Sequence, residues 1–164
     1  MKTLFTALLF TLVSVSLVSA AGSPTVKTSK SEEIQVYNEG VEYMMEKKFS
    51  KAEKQFRKAL AINDSFAEAH NNLAYTLRKQ GKENYAEALK HYNRSIDLNP
   101  ELDEPYMYRG VLHMQMGHKD LALVDHKTLA SRNSPLASEL AYVVENGREK
   151  EPEQFFGVSR QIDS

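Results

Sequence analysis

Residues 67–100 read AEAHNNLAYTLRKQGKENYAEALKHYNRSIDLNP, and the pattern in this stretch decides the fold. Two amphipathic segments flank Gly81, and Asn99-Pro100 closes the second, since a proline there cannot continue a helix. Looser copies lie on either side: IQVYNEGVEYMMEKKFSKAEKQFRKALAINDS at 34–65 and EPYMYRGVLHMQMGHKDLALVDHKTLASRNS at 104–134. Repetition at a period of about 34 residues means stacked like units, because no single helix pair can bury its apolar face alone. Gly40, Ala74 and Gly110 fall at one position of the first helix, and Ala52, Ala88 and Ala122 at one position of the second. Tyr43, Leu77 and His113 follow the first set, and Phe56, Tyr92 and His126 the second. Small residues let the two helices of each pair meet closely. Larger ones such as Leu73, Leu77, Tyr92, Ile96 and Leu98 fill the space between pairs.

Small and large apolar residues at these offsets in a helix-turn-helix resemble the tetratricopeptide repeat. The resemblance implies an all-α fold: three helix-turn-helix repeats (33–66, 67–102 and 103–134) in a short right-handed superhelix, plus a C-terminal capping helix. The middle copy is two residues longer, with the extra length expected in a turn at Lys82–Asn84. The third copy departs most from the pattern. His126 stands where an aromatic is usual, Leu129 where a small residue is usual, and the closing proline is displaced to Pro135. Ser134-Pro135 reads as a helix start, Leu136, Leu140, Val143 and Val144 share one face, and Gly147 is a stop signal, so 135–147 is expected to cap the last repeat.

The ends carry different signals. MKTLFTALLFTLVSVSLVSA, residues 1–20, has one early positive charge, an apolar run and small residues at a cut site, the pattern of a secretory signal peptide. Cleavage after Ala20 is favoured over the rival reading, an uncleaved anchor, which about 20 apolar residues would allow, and the protein is therefore expected to be exported, to a bacterial periplasm or beyond. Cysteine is absent, so thiolate chemistry and disulfides play no part. Residues 21–30 are small, polar and aperiodic, a flexible leader, with order expected to begin near Ser29. Ser29/Glu32, Ser50/Glu53, Ser65/Glu68 and Asn84/Glu87 have capping-box spacing, and Asp103 with Pro105 suits the start of the third repeat. The tail, 148–164, opens with the charge run REKEPE, expected to be solvated, and then turns apolar at Phe155-Phe156. Docking of these rings on the capping helix is favoured over seating in the groove or on a second protein.

The resemblance also implies a concave surface lined by the first helices of successive repeats, where a peptide or partner helix binds. Carried over by position, its rows are Ile34, Tyr37, Asn38, Val41, Met44 and Met45; then Glu68, Asn71, Asn72, Tyr75, Arg78 and Lys79; then Glu104, Met107, Tyr108, Val111, Met114 and Gln115. Tyr75 and Tyr108 are expected to be exposed. Rows rich in Met and Tyr around two adjacent cations suit an extended segment or amphipathic helix with apolar anchors and an acidic residue. Family members that hold the acidic C-terminal tails of cytosolic chaperones use a clamp of Lys and Asn, then Asn, then Lys and Arg. Here those places hold Tyr37, Val41, Asn72, Glu104 and Tyr108, so the clamp is absent.

Charged residues are 26% with a formal net charge of -1, which gives no field to recruit nucleic acid or anionic lipid. The five histidines, His70, His91, His113, His118 and His126, lack metal-ligand spacing. No phosphate loop, nucleophile elbow or HExxH motif occurs. The expectation is a non-catalytic protein-binding adaptor without cofactor or metal, and without membrane contact once the signal is cleaved. The alternative is a structural protein that self-assembles through its Phe-Phe tail.

Overall fold

The computed structural model describes residues 29–150 and 161–163; the expected signal peptide 1–20, the expected leader residues 21–28 and Phe155-Phe156 lie outside the described residues. The described chain forms α1 Ser29–Met45, α2 Phe49–Ile62, α3 Ala67–Gln80, α4 Tyr85–Leu98, α5 Glu104–Gln115, α6 Lys119–Ser131 and α7 Leu136–Asn146. A single 3-10 turn, Lys82–Asn84, absorbs the extra length of the middle pair.

One device closes each pair. The chain reverses through a residue of positive φ: Lys47 at 59°, Gly81 at 148° and Gly117 at 81°. At α1 and α5 the reversal satisfies an orphan carbonyl, since Lys48 N–H donates to Tyr43 O and His118 N–H to His113 O, each at 2.8 Å. Lys47 does with a Cβ what glycine does freely, at a cost of about 1 kcal/mol. Between pairs, the amide oxygens of Asn63 and Asn99 accept from Ser65 N–H (3.0 Å) and Glu101 N–H (3.2 Å), so the same side-chain turn recurs at both links.

The expected capping boxes do not form where they can be seen. Helix α2 starts after Lys48, α3 after Phe66, and α5 after Asp103, none with a side-chain cap. Ser50 lies inside α2 and its hydroxyl donates to Gln80 Oε1 at 3.3 Å, while the Asp103 carboxylate accepts from Arg132 at 3.2 Å. Asn84 does precede α4, but the 3-10 turn leaves it helical (φ -95°, ψ -1°), without the extended backbone that capping needs. The N-termini of α2 and α3 are set instead by apolar entry residues, Phe49 and Phe66, which pack against or within the core.

The helices stack in two layers. Each helix packs on the next, and α3 also touches both α1 and α5, whereas no such contact joins α2 with α4 or α4 with α6. Neighbours that approach only in one layer make that layer the inside of a curve. Helix α7 packs on both α5 and α6, the place a fourth inner helix would take. It buries Leu136, Leu140 and Val143, leaves Val144 half-buried, and ends at Gly147 with φ 69°.

Ala52, Ala88 and Ala122 are fully buried, as close packing of the pairs requires. At Gly40 an added Cβ would lie 2.7 Å from the Phe56 ring, so this glycine serves its own pair. At Gly110 the Cβ would lie 2.5 Å from a methyl of Leu140. This corrects the expected pairing of Gly110 with Ala122: the missing side chain admits the capping helix.

Candidate peptide-binding face

The inner face is built by α1, α3 and α5, because their apolar positions recur on the side that turns toward the neighbouring inner helix. Most of the expected lining is buried. Tyr37, Asn71 and Asn72 have no exposure, Tyr108 and Val111 have 1%, and Val41, Met44, Tyr75, Arg78 and Met107 lie below 9%. Met114 is half-buried, Lys79 exposed, and Met45 is 70% exposed. Asn72 Nδ2 donates to the Tyr37 hydroxyl at 3.0 Å, and Asn71 Nδ2 to Asn72 Oδ1 at 3.1 Å. These asparagines therefore lock α1 to α3.

The expected exposure of Tyr75 and Tyr108 is wrong. Their rings meet edge to face at 5.2 Å, and Phe49 lies 6.4 Å from Tyr75 on its other side. The Arg78 guanidinium sits 5.3 Å from the Tyr75 ring and 5.7 Å from that of Tyr108, a cation held between aromatic faces. Burial pushes the Tyr75 hydroxyl up to about 12, so it stays neutral.

A guanidinium with no exposed surface needs a carboxylate. Glu149, three residues past α7, supplies it: Arg78 Nη1 and Nη2 donate to its two carboxylate oxygens at 2.8 Å each, and Lys79 Nζ lies 3.8 Å away. Burial alone would raise the Glu149 pKa, but the bonds and charge of Arg78, with Lys79, hold it below the ordinary range. The REKEPE run is thus not simply solvated as expected. Lys150 also pairs, with Glu139 of α7 at 2.8 Å.

A second contact lies on α1. Asn38 Nδ2 donates to Ile162 O at 2.7 Å, and Asn38 Oδ1 accepts from Ile162 N–H at 2.8 Å. Gln161 Nε2 donates to Glu42 at 3.0 Å, and the Ile162 side chain packs against the core. A cleft of about 560 Å³ opens here, lined by Gln35, Asn38, Glu39 and Glu42 with residues 161–163.

Two family models match overlapping stretches: one described as a tetratricopeptide repeat over residues 56–90, the other as a TPR repeat over 82–117. The helix pairs have the fold of tetratricopeptide repeats, and residues 56–117 match models of that family. Human tetratricopeptide repeat protein 6 is 34% identical over 88 residues, which is 54% of this chain and 16% of that protein. The chain therefore spans about a sixth of that relative's length. The Arabidopsis OM64 TPR domain superposes with a TM-score of 0.65 at 14% identity, covering 73% of this chain and 99% of that domain. The first TPR of Spaghetti (RPAP3), bound to the HSP90 peptide SRMEEVD, gives 0.63 at 16% identity over 70% of this chain and 91% of that one. The CopN-Scc3 complex gives 0.59 at 23% identity over 73% and 71%. At such identities the likeness carries the fold alone. Tetratricopeptide domains are typically non-catalytic modules that bind proteins.

Sequence reasoning placed Asn38 on this face but missed Glu149 and residues 161–163. One signal was available: Arg78 stands among Tyr and Leu in a helix whose other face must be apolar, so it demanded a carboxylate from elsewhere. Among the described residues, no three His, Asp or Glu side chains gather as a metal site, and no helix is long and apolar enough to cross a membrane.

Proposed function

We propose that this chain is a non-catalytic adaptor that binds a peptide or partner helix on the inner face of its tetratricopeptide repeats. The observation that carries this reading is the Asn38 carboxamide, which holds both the N–H and the C=O of one residue in a segment outside the helices. Such bonds recognise main chain whatever the side chain. The exposed Lys79 ammonium beside Arg78 adds a seat for an acidic side chain. The RPAP3 domain holds a peptide with adjacent acidic residues, and this supports a peptide as ligand. Of the chaperone-tail clamp only Asn72 is present, so the partner proposed is a different one.

The signal-like residues 1–20 support the reading that this activity lies in the periplasm or outside the cell, with assembly or maintenance of a bacterial envelope complex as its proposed setting. Detection of mature protein beginning at Ala21 in a periplasmic fraction tests the location, and retention in the cytoplasm overturns it. Affinity capture from an envelope extract tests the activity, with a Lys79→Glu, Met114→Ala variant alongside. A partner kept by the native protein and lost by the variant supports the face as the site. Capture unchanged by the variant rules the face out. Self-assembly through the tail is the second reading, favoured by the tail's seat on Asn38, and a mass that rises with concentration would support it.

A further inference from the structure

Beyond α7 the chain meets its own inner helices at two described places. Glu149 reaches Arg78 on α3, and Ile162 reaches Asn38 on α1, so two anchors lie on successive inner helices in the order cap, middle repeat, first repeat. We infer that Glu149 and residues 161–163 act as intramolecular ligands of this face, one seated by its carboxylate on Arg78 and the other by its main chain on Asn38, and that an incoming peptide binds by displacing them. The displacement step rests on the proposed peptide-binding role; the occupancy does not.

The two anchors also define what can replace the segment. Arg78 has no exposed surface in its side chain and Glu149 is 20% exposed. Removing Glu149 would leave a buried cation unpaired, so a competitor must bring its own carboxylate to Arg78 and Lys79. Asn38 offers one donor and one acceptor, which an extended main chain matches and a helix, with those groups already bonded internally, does not. The displacing ligand is therefore an extended acidic peptide. Its obstacle is the tether. A linked segment acts at an effective concentration in the millimolar range, so only the fraction of molecules with the segment released is competent to bind, and apparent affinity falls by that fraction.

Amide hydrogen exchange on the full chain tests the occupancy without any partner. In the native protein the Ile162 amide should exchange at least about tenfold more slowly than an unstructured amide. Asn38→Ala and, separately, Glu149→Gln should restore fast exchange while helical amides keep their protection. An Ile162 amide that exchanges at the unstructured rate, or that neither substitution affects, overturns the inference. Protection that weakens on dilution overturns its intramolecular form, because a second copy would then be the donor. A labelled peptide copy of residues 149–164 tests displacement, and should bind the Glu149→Gln protein at least about tenfold more tightly than the native protein. Equal affinity overturns displacement. If partner capture fails while Ile162 stays protected, the adaptor role falls and the self-occupied face stands.

Discussion

At the scale of single residues, the side chains that matter are those whose burial no local pattern announces. Tyr75 has helical spacing compatible with either an inner core or an exposed anchor, and packing between Phe49, Tyr108 and Arg78 puts it in the core. Tyr75→Ala should therefore cost about 3 kcal/mol in urea unfolding. A loss below about 0.5 kcal/mol would return it to the surface. His91 makes a different case. Its Nδ1 lies 2.8 Å from Nδ1 of His70, whose Nε2 faces the Asp64 carbonyl oxygen at 3.0 Å. The carbonyl can only accept, so His70 carries its proton on Nε2 and accepts from His91 through Nδ1. Burial, and then the His70 ring, bring His91 down to about 4, and burial lowers His70 as well. A depressed histidine binds its proton more readily in the unfolded chain, so this stability is complete above about pH 6.5 and lost as pH falls toward 4. Urea midpoints across that window should decline more steeply for the native protein than for His91→Gln. Parallel slopes would show the pair to be uncoupled from folding.

At the scale of elements, two contacts hold the third repeat. Gly110 gives Leu140 of α7 its place. Gly110→Leu should loosen α5 from α7 by about 1–3 kcal/mol, and adding Leu140→Ala should recover part of that loss by making room. Additive effects in the two single variants and the double would contradict the contact. The second is the group around Arg109. Its guanidinium donates to both Asp125 oxygens, at 2.6 and 3.1 Å, and to Asn93 Oδ1 at 2.8 Å, tying α4, α5 and α6 together. Asp125 is 1% exposed. Asp125→Ala removes both carboxylate bonds from the half-buried Arg109 cation and should lower stability by about 3 kcal/mol, measured by thermal or urea unfolding. A change below about 1 kcal/mol would mean that water replaces the carboxylate. The helices themselves were legible from Gly40, Ala52, Ala74 and Ala88, because close approach leaves a mark in residue size. The caps were not, since Ser50 and Asp103 bond to side chains on other helices, and spacing along one helix carries no record of its neighbours.

At the scale of the whole molecule, three stacked pairs and a cap form one continuous core from Tyr37 in α1 to Val143 in α7. Each pair meets only its neighbours, so the ends are as necessary as the middle. A chain ended after Ser134 strips the apolar cover from α5 and α6. It should lower the urea midpoint and broaden the transition, followed by helical circular dichroism. An unchanged, equally sharp transition would make α7 an accessory. Outside the helices, Glu149 bonds to Arg78 of α3 and Ile162 to Asn38 of α1.

The sequence by itself determined the helix pairs, their number and the capping helix. Each of these follows from local information: apolar spacing, small residues where backbones meet, and Gly or Asn where the chain reverses. Only the tertiary structure decided that Tyr75 and Tyr108 are core, that Gly110 serves α7, and that Glu149 and Ile162 bond to the inner helices. The last of these joins residues separated by 71 and 124 positions. No periodicity links such partners; the fold brings them together because a buried guanidinium must meet a carboxylate and an inner carboxamide must meet a main chain.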